Sequence, residues 1–173
     1  MTPSDTSIVA LTESSFHTLY KVSFQEACAE AVVSRWQMLD LIVAVLVAVT
    51  ASGSAVAGWA LWSEPGWRTL WATGAGTAAL GAIVNNAMTV PSRIKEQEEL
   101  RRVFSGLRVS LETFREELRI GLDVDNARQR YTKILEGYER IVTGARKDPA
   151  LTKGVQIRVQ REVNEKLKQE GLI

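Results

Sequence analysis

The sequence contains almost no cysteine or histidine, which limits the chemistry open to it. Cys28 is the single cysteine and His17 the single histidine. One cysteine excludes an intrachain disulfide, and one histidine with no second nearby is a poor basis for a metal site. No nucleophile stands beside a base, and no glycine-rich phosphate loop opens a polar helix. We therefore expect no enzymatic activity, no catalytic residue, no cofactor and no metal.

The chain also lacks a strong net charge and a recognisable leader. Its formal net charge is +1, so bulk electrostatics give no reason to expect a nucleic-acid partner. The first fifteen residues have no basic residue and no long apolar run, so we expect no cleavable signal peptide.

Charge is missing most conspicuously from residues 41–90, where only Glu64 and Arg68 are charged. The uncharged runs on either side each exceed the roughly twenty residues that a helix needs to cross a bilayer. Buried helices of a soluble bundle are the alternative, but those should keep a polar stripe. Pro65 and Gly66 mark a tight turn between the runs. The sequence thus predicts a transmembrane hairpin, with helices at about 41–63 and 69–90.

Tryptophan supports the membrane interpretation, because its ring favours the membrane–water interface. All five tryptophans flank the two runs and are predicted to form an interfacial belt: Trp36, Trp59, Trp62, Trp67 and Trp71.

Basic residues predict the orientation of this hairpin. The turn offers only Arg68, whereas the flanks carry several basic residues, among them Lys21, Arg35, Arg93 and Lys95. The positive-inside rule therefore predicts a multi-pass membrane protein with both termini in the cytoplasm.

The second run is rich in glycine, alanine and threonine. Thr73, Thr77, Gly81 and Asn85 recur every four residues and share one slowly drifting helix face. Such small and polar side chains allow close packing of helices within one hairpin. They could equally line a path through the bilayer in an oligomer, and we carry them as candidate pore-lining residues.

Residues 1–40 and 91–173 are predicted to be helical and cytoplasmic. Residues 12–39 show an amphipathic pattern, which fits a helix at the interface or one packed on the tail. In the tail, Gly121 is expected to break the helix, and Asp123 or Asp125 to cap the next one. A heptad seam precedes this break and predicts a coiled-coil-like core within or between chains: Leu100, Phe104, Leu107, Leu111, Phe114 and Leu118.

Two features of the tail leave alternatives open. Residues 151–172 alternate in part like a strand but also repeat apolar residues every four positions, which favours a helix. Arg101, Arg108 and Arg115 lie seven residues apart beside the seam. They could bind an anionic ligand or lipid, or form a solvated face paired with neighbouring acids.

These features follow one another in a characteristic order: Ser34-Arg35-Trp36 precedes a two-helix hairpin, and Leu100, Leu107 and Tyr131 lie in the seams of the tail. This order resembles the SLATT family of SMODS- and SLOG-associating two-transmembrane effectors. The resemblance implies a homo-oligomeric effector of bacterial anti-phage defence that forms a pore or perturbs the bacterial inner membrane. It also implies a sensor or nucleotide-signalling partner as the trigger. The alternative is a non-enzymatic membrane adaptor. Its hairpin would lie in the lipid bilayer and anchor a helical docking platform.

Overall fold

The described part of the chain is helical, with no strand. The structure is a computed structural model, and it describes residues 3–61, 69, 73–74, 76–77, 79–81, 83, 90–145 and 148–170. Its helices are α1, Pro3–Leu61; α2, Val90–Ile120; α3, Val124–Gly144; and α4, Lys153–Gln169. The described residues between 69 and 83 are helical as well. The predicted all-α class is confirmed.

Helix α1 continues without a break from the polar N-terminal region into the first apolar run. No proline or glycine occurs between Ser4 and Ser52, so nothing in the backbone chemistry ends the helix near residue 40. The expected division between a lead helix and a membrane helix is thus a change of surface along one helix and not a change of backbone.

A local turn joins α2 to α3. Gly121 has a φ of +101°, a left-handed conformation that favours glycine, and its N–H donates to the Leu118 carbonyl. The Leu122 N–H donates to the Glu117 carbonyl, which completes a Schellman cap. One residue further on, the Asp123 carboxylate accepts the Asn126 N–H at 3.3 Å and caps α3.

Helices α2 and α3 pack antiparallel. The rings of Phe114 and Tyr131 stack with their centroids 5.7 Å apart. Further along, Gly137 faces Leu107, and a β carbon built on this glycine would lie 3.7 Å from the leucine. An earlier residue of α2 thus pairs with a later residue of α3, so the two helices run in opposite directions, as in a helical hairpin.

The chain divides into two units, Met1–Val32 with Glu96–Ile173, and Val33–Lys95. We call the first the helical body and the second the apolar unit. The body places the first part of α1 with the tail, which differs from the expected separate segment at residues 1–40. The amphipathic pattern of residues 12–39 left open whether this helix lies at the membrane interface or packs on the tail. In the structure, helices from the tail bury one face of the first part of α1.

Two apolar clusters hold the helical body together. In the first, α1 packs on α2 and α3, and its buried members are Leu19, Val22, Phe104, Leu111, Phe114, Leu118, Ala127 and Tyr131. In the second, Cys28 of α1 packs on Val155, Val159, Val163 and Leu167 of α4. These α4 residues recur every four positions, as in a helix, while Ile157 is exposed. The helical interpretation of residues 151–172 is thus correct over Lys153–Gln169.

Candidate functional site

The candidate functional site is the exposed apolar surface of α1 in the apolar unit. Seven large apolar side chains within ten residues are exposed there: Met38, Leu39, Leu41, Ile42, Val45, Leu46 and Val47. At 100° per residue these positions are spread around the helix and do not form a single stripe. Soluble proteins rarely expose a contiguous apolar surface of this kind, which marks a membrane or an association surface.

Length and composition agree with this assignment. Among the described residues, one helix is long and apolar enough to cross a membrane, over Thr6–Ala48. Its most apolar window has a mean hydropathy of 1.7, and only 17% of that window is buried within the chain. The core helix of a soluble protein would be mostly buried. From residue 41 to Leu61, α1 also has the length of about 30 Å that a hydrocarbon core requires.

The second apolar run shows a similar surface at the positions that the structure describes. Leu80 and Ile83 are both about two-thirds exposed. A β carbon built on Gly81 would lie 3.9 Å from Val43 Cγ2, so the second run passes close to α1 at this glycine. Close approach at a small residue is the usual way in which helices meet in a membrane.

The candidate pore-lining residues occupy different environments. Thr73 and Thr77 are exposed, Gly81 is partly covered beside α1, and Asn85 lies outside the described residues. The Thr73 hydroxyl donates to the Thr69 carbonyl at 2.6 Å, and the Thr77 hydroxyl donates to the Thr73 carbonyl at 2.7 Å. Each hydroxyl proton is thereby satisfied within its own helix, which suits a lipid-facing position as well as a water-facing one.

Trp36 is the one tryptophan of the expected belt whose side chain the structure describes. It is buried, and the Arg93 guanidinium lies over its ring at 5.8 Å from the centroid, within the range of a cation–π contact. Trp36 is therefore packed within the apolar unit. The side chains of Trp59, Trp62, Trp67 and Trp71 lie outside the described residues.

The row of arginines on α2 faces α1 of the helical body. Arg108 Nε lies 3.0 Å from a carboxylate oxygen of Glu26, and its Nη1 lies 3.8 Å from Glu112. Arg101 lies 3.9 Å from Glu30. Arg115 sits over the ring of Phe16, 5.5 Å from the centroid.

These contacts make the arginine row part of the packing between α1 and α2. The Arg108 Nε–H is buried and forms no hydrogen bond of good geometry, although Glu26 is close, so their attraction is mainly that of two charges. Sequence reasoning anticipated acids close in the chain, such as Glu112. It missed Glu26 and Glu30, because only the fold brings α1 beside α2.

Cys28 is a buried and weakly nucleophilic side chain of the second cluster. It is 3% exposed, and its burial raises the pKa of the thiol to about 11. A thiol of this pKa is neutral at physiological pH, and the thiol is a poor nucleophile compared with the thiolate.

The chain has no match among protein-family models, curated proteins or solved structures. Function is therefore argued from the surface and packing described above.

Proposed function

We propose that this chain is an integral membrane protein whose two apolar runs cross the bilayer as a hairpin. The observation that carries the proposal is the uncharged and mostly exposed stretch of α1 over residues 41–47, which continues the exposed side chains of Met38 and Leu39. Such a stretch would be unfavourable in water and favourable in lipid, at roughly 25 cal/mol per Å² of apolar surface transferred. The contact of Gly81 with Val43 supports the second run as the partner of α1.

As its activity, we propose an oligomeric effector that forms a pore or otherwise perturbs the membrane. The second run is poor in large apolar side chains, so it gains less from facing lipid than α1 does. In an oligomer, the second runs would form an inner ring around the path and the α1 helices an outer ring. The more apolar α1 would then face lipid, and the less apolar second run would face the path. Thr73 and Thr77 would then face the path, since a hydroxyl that donates to its own helix still offers lone pairs to water or an ion.

The resemblance to the SLATT family provides the biological setting of the proposal, a membrane effector of bacterial anti-phage defence at the inner membrane. In this setting a sensor or nucleotide-signalling partner acts on the helical body. A signal that binds one conformation of the body more tightly than another shifts the assembly toward its active state. Both termini and the helical body would lie in the cytoplasm.

A second candidate function is a membrane adaptor. It is favoured by the same two hydroxyl contacts, because Thr73 and Thr77 have no proton left unsatisfied in lipid. The two clusters of the helical body would then make a stable docking platform that the hairpin anchors to the membrane.

Ion flux through liposomes that contain the purified chain separates the two functions. Thr77→Leu would place a bulky apolar side chain in the path, and we expect it to reduce flux about tenfold or more with unchanged assembly. Ile83→Leu is the matched control, since it keeps volume and polarity on a different side of the helix, and flux should stay the same.

If Thr77→Leu conducts as well as the unmodified chain, this face does not line the path. If the assembled chain fails to conduct with any trigger, including co-reconstituted signalling partners, the adaptor function replaces the effector function.

A further inference from the structure

An open cavity of about 480 Å³ lies in the helical body, between α1, α2, the end of α3 and the residues around the start of α4. Its size is that of cavities that bind drug-sized molecules. The wall is mostly apolar, with the aromatic rings of Phe24 and Phe104 and the thiol of Cys28. The amides of Gln25 and Gln97 face the same space.

Gln97 is the unusual member of this wall. It is 7% exposed, and among the described residues its amide has no hydrogen-bond partner. Its amide atoms are not among the fully buried ones, so they reach the space of the cavity and can meet a partner there. A leucine of similar size would extend the heptad pattern of α2, in which Leu100 and Phe104 follow three and seven residues later. The glutamine is thus better suited to a molecule in the cavity than to the packing of the helix.

We propose that this cavity binds a neutral, mostly apolar small molecule that carries an amide-like donor and acceptor. The apolar part would lie against Phe24 and Phe104, and the amide-like group would pair with Gln97 and the neighbouring Gln25. A glutamine side chain offers both a donor and an acceptor, so it matches a group that offers both in return. The inference goes beyond the membrane proposal and does not depend on it.

The mostly apolar wall disfavours a charged ligand, because a charge is costly to desolvate, and the acidic member of the wall disfavours an anion further. Asp148 is the acidic member of the wall, and its carboxylate already accepts the Ala150 N–H at 2.8 Å. A carboxylate at this position disfavours an anion in a partly desolvated space. The chemistry therefore differs from that of the arginine row, where an anionic ligand was the candidate.

Benzanilide is a suitable probe, because it is neutral and joins two aromatic rings through one amide. The full chain is reconstituted in lipid nanodiscs, and alkylation of its single cysteine by N-ethylmaleimide is followed by intact mass. Cys28 lines the cavity, so benzanilide should slow its alkylation in a saturable manner and raise Tm. Gln97→Leu should weaken this protection about tenfold, the loss expected when one buried hydrogen-bonding partner is removed.

Two controls make the result specific. Gln97→Leu by itself should not lower Tm, because the substitution removes no hydrogen bond within the described part of the chain, and an unchanged Tm shows that the variant folds. If it fails to fold, the half-buried Gln25→Leu serves in its place, with weaker protection expected. In a Cys28→Ala chain that carries Thr132→Cys on the exposed side of α3, alkylation should not respond to benzanilide.

Two results would overturn the proposal. One is alkylation of Cys28 that benzanilide does not slow at any soluble concentration. The other is equal protection in the unmodified chain and in a folded Gln97→Leu or Gln25→Leu variant. Either result would show that the cavity holds water and does not bind the ligand through the proposed glutamine contacts.

Discussion

At the scale of single residues, one hydrogen bond joins two distant parts of the helical body. The hydroxyls of Thr18 and Tyr131 lie 2.8 Å apart and are buried. Thr18 also donates its only proton to the Ser14 carbonyl at 3.0 Å, so Tyr131 is the donor to Thr18 Oγ1. The bond joins α1 to α3, and the Tyr131 ring stacks on Phe114 of α2. A single tyrosine thus fixes the relative position of three helices.

Tyr131→Phe keeps this stack and removes only the hydroxyl. We expect it to lower the free energy of unfolding by about 1 kcal/mol, because Thr18 Oγ1 loses its donor while its own proton stays paired. Tm should fall by about 2–4 °C in a chain of this size, measured by circular dichroism. Tyr138→Phe is the matched control, since Tyr138 is half-buried and its hydroxyl has no hydrogen-bond partner in the described part of the chain.

A double-mutant cycle with Thr18→Val tests the pairing itself. The two substitutions should be less than additive, with a coupling of about 0.5–1.5 kcal/mol. Strict additivity would show that the two hydroxyls contribute independently.

At the scale of the helices, the seam of α2 separates a buried face from an exposed one. Phe104, Leu111, Phe114 and Leu118 are buried, and Leu100 and Leu107 pack against the same cluster. Val109, two residues before Leu111, is exposed. Truncation to alanine should therefore lower the free energy of unfolding strongly on the buried face and little on the exposed one.

Leu111→Ala should lower the free energy of unfolding by about 2–5 kcal/mol, because Leu111 is fully buried and its truncation leaves a cavity in the first cluster. Val109→Ala is the control, and we expect a change within about 0.5 kcal/mol. Thermal unfolding followed by circular dichroism distinguishes the two. A small effect of Leu111→Ala would place the core of the body elsewhere.

The seam also shows which features of α2 could be predicted from the sequence. Heptad spacing predicted which residues of α2 share a face, because a helix repeats its faces with a fixed period. The same spacing could not decide whether this face packs within the chain or between chains. The structure fills it with Leu19 and Val22 of α1 and with α3. The turn was predictable from Gly121 and the aspartates after it, since its hydrogen bonds are local.

Contacts between distant segments could not be predicted in this way. The partners of Arg101 and Arg108 lie on α1, more than seventy residues earlier in the chain. The cavity beside Gln97 combines residues from four stretches of sequence, none of which forms a motif. For the apolar surface the opposite holds. Hydropathy alone located it at residue 41 and beyond, because an apolar surface is set by the side chains along one helix and needs no distant partner.

At the scale of the whole molecule, the distribution of charge predicts the orientation of the proposed hairpin in a membrane. Only Glu64 and Arg68 are charged between residues 41 and 90, and the other charged residues flank this region. The proposed hairpin would place both flanks in one compartment, and their arginines and lysines favour the cytoplasm. The predicted turn at residues 64–68 would then face the opposite side.

Cysteine labelling in intact cells tests this orientation. In a Cys28→Ala chain, Gly66→Cys should react with a membrane-impermeant maleimide added outside, once the outer barrier is passed. Thr132→Cys, which is exposed on α3, should react only after the inner membrane is permeabilised. A chain with Cys28→Ala alone controls for background labelling.

Each pattern of labelling has a single structural meaning. Both sites labelled from outside would mean that the turn and the tail share the outer compartment, which excludes the hairpin. Labelling of Thr132→Cys alone would mean an inverted hairpin, against the positive-inside rule. Labelling of neither site in intact cells would mean that α1 does not span the membrane, and its exposed apolar surface would then belong to an association between chains. Only labelling of Gly66→Cys alone fits two crossings with the helical body in the cytoplasm, where a soluble signalling partner can reach it.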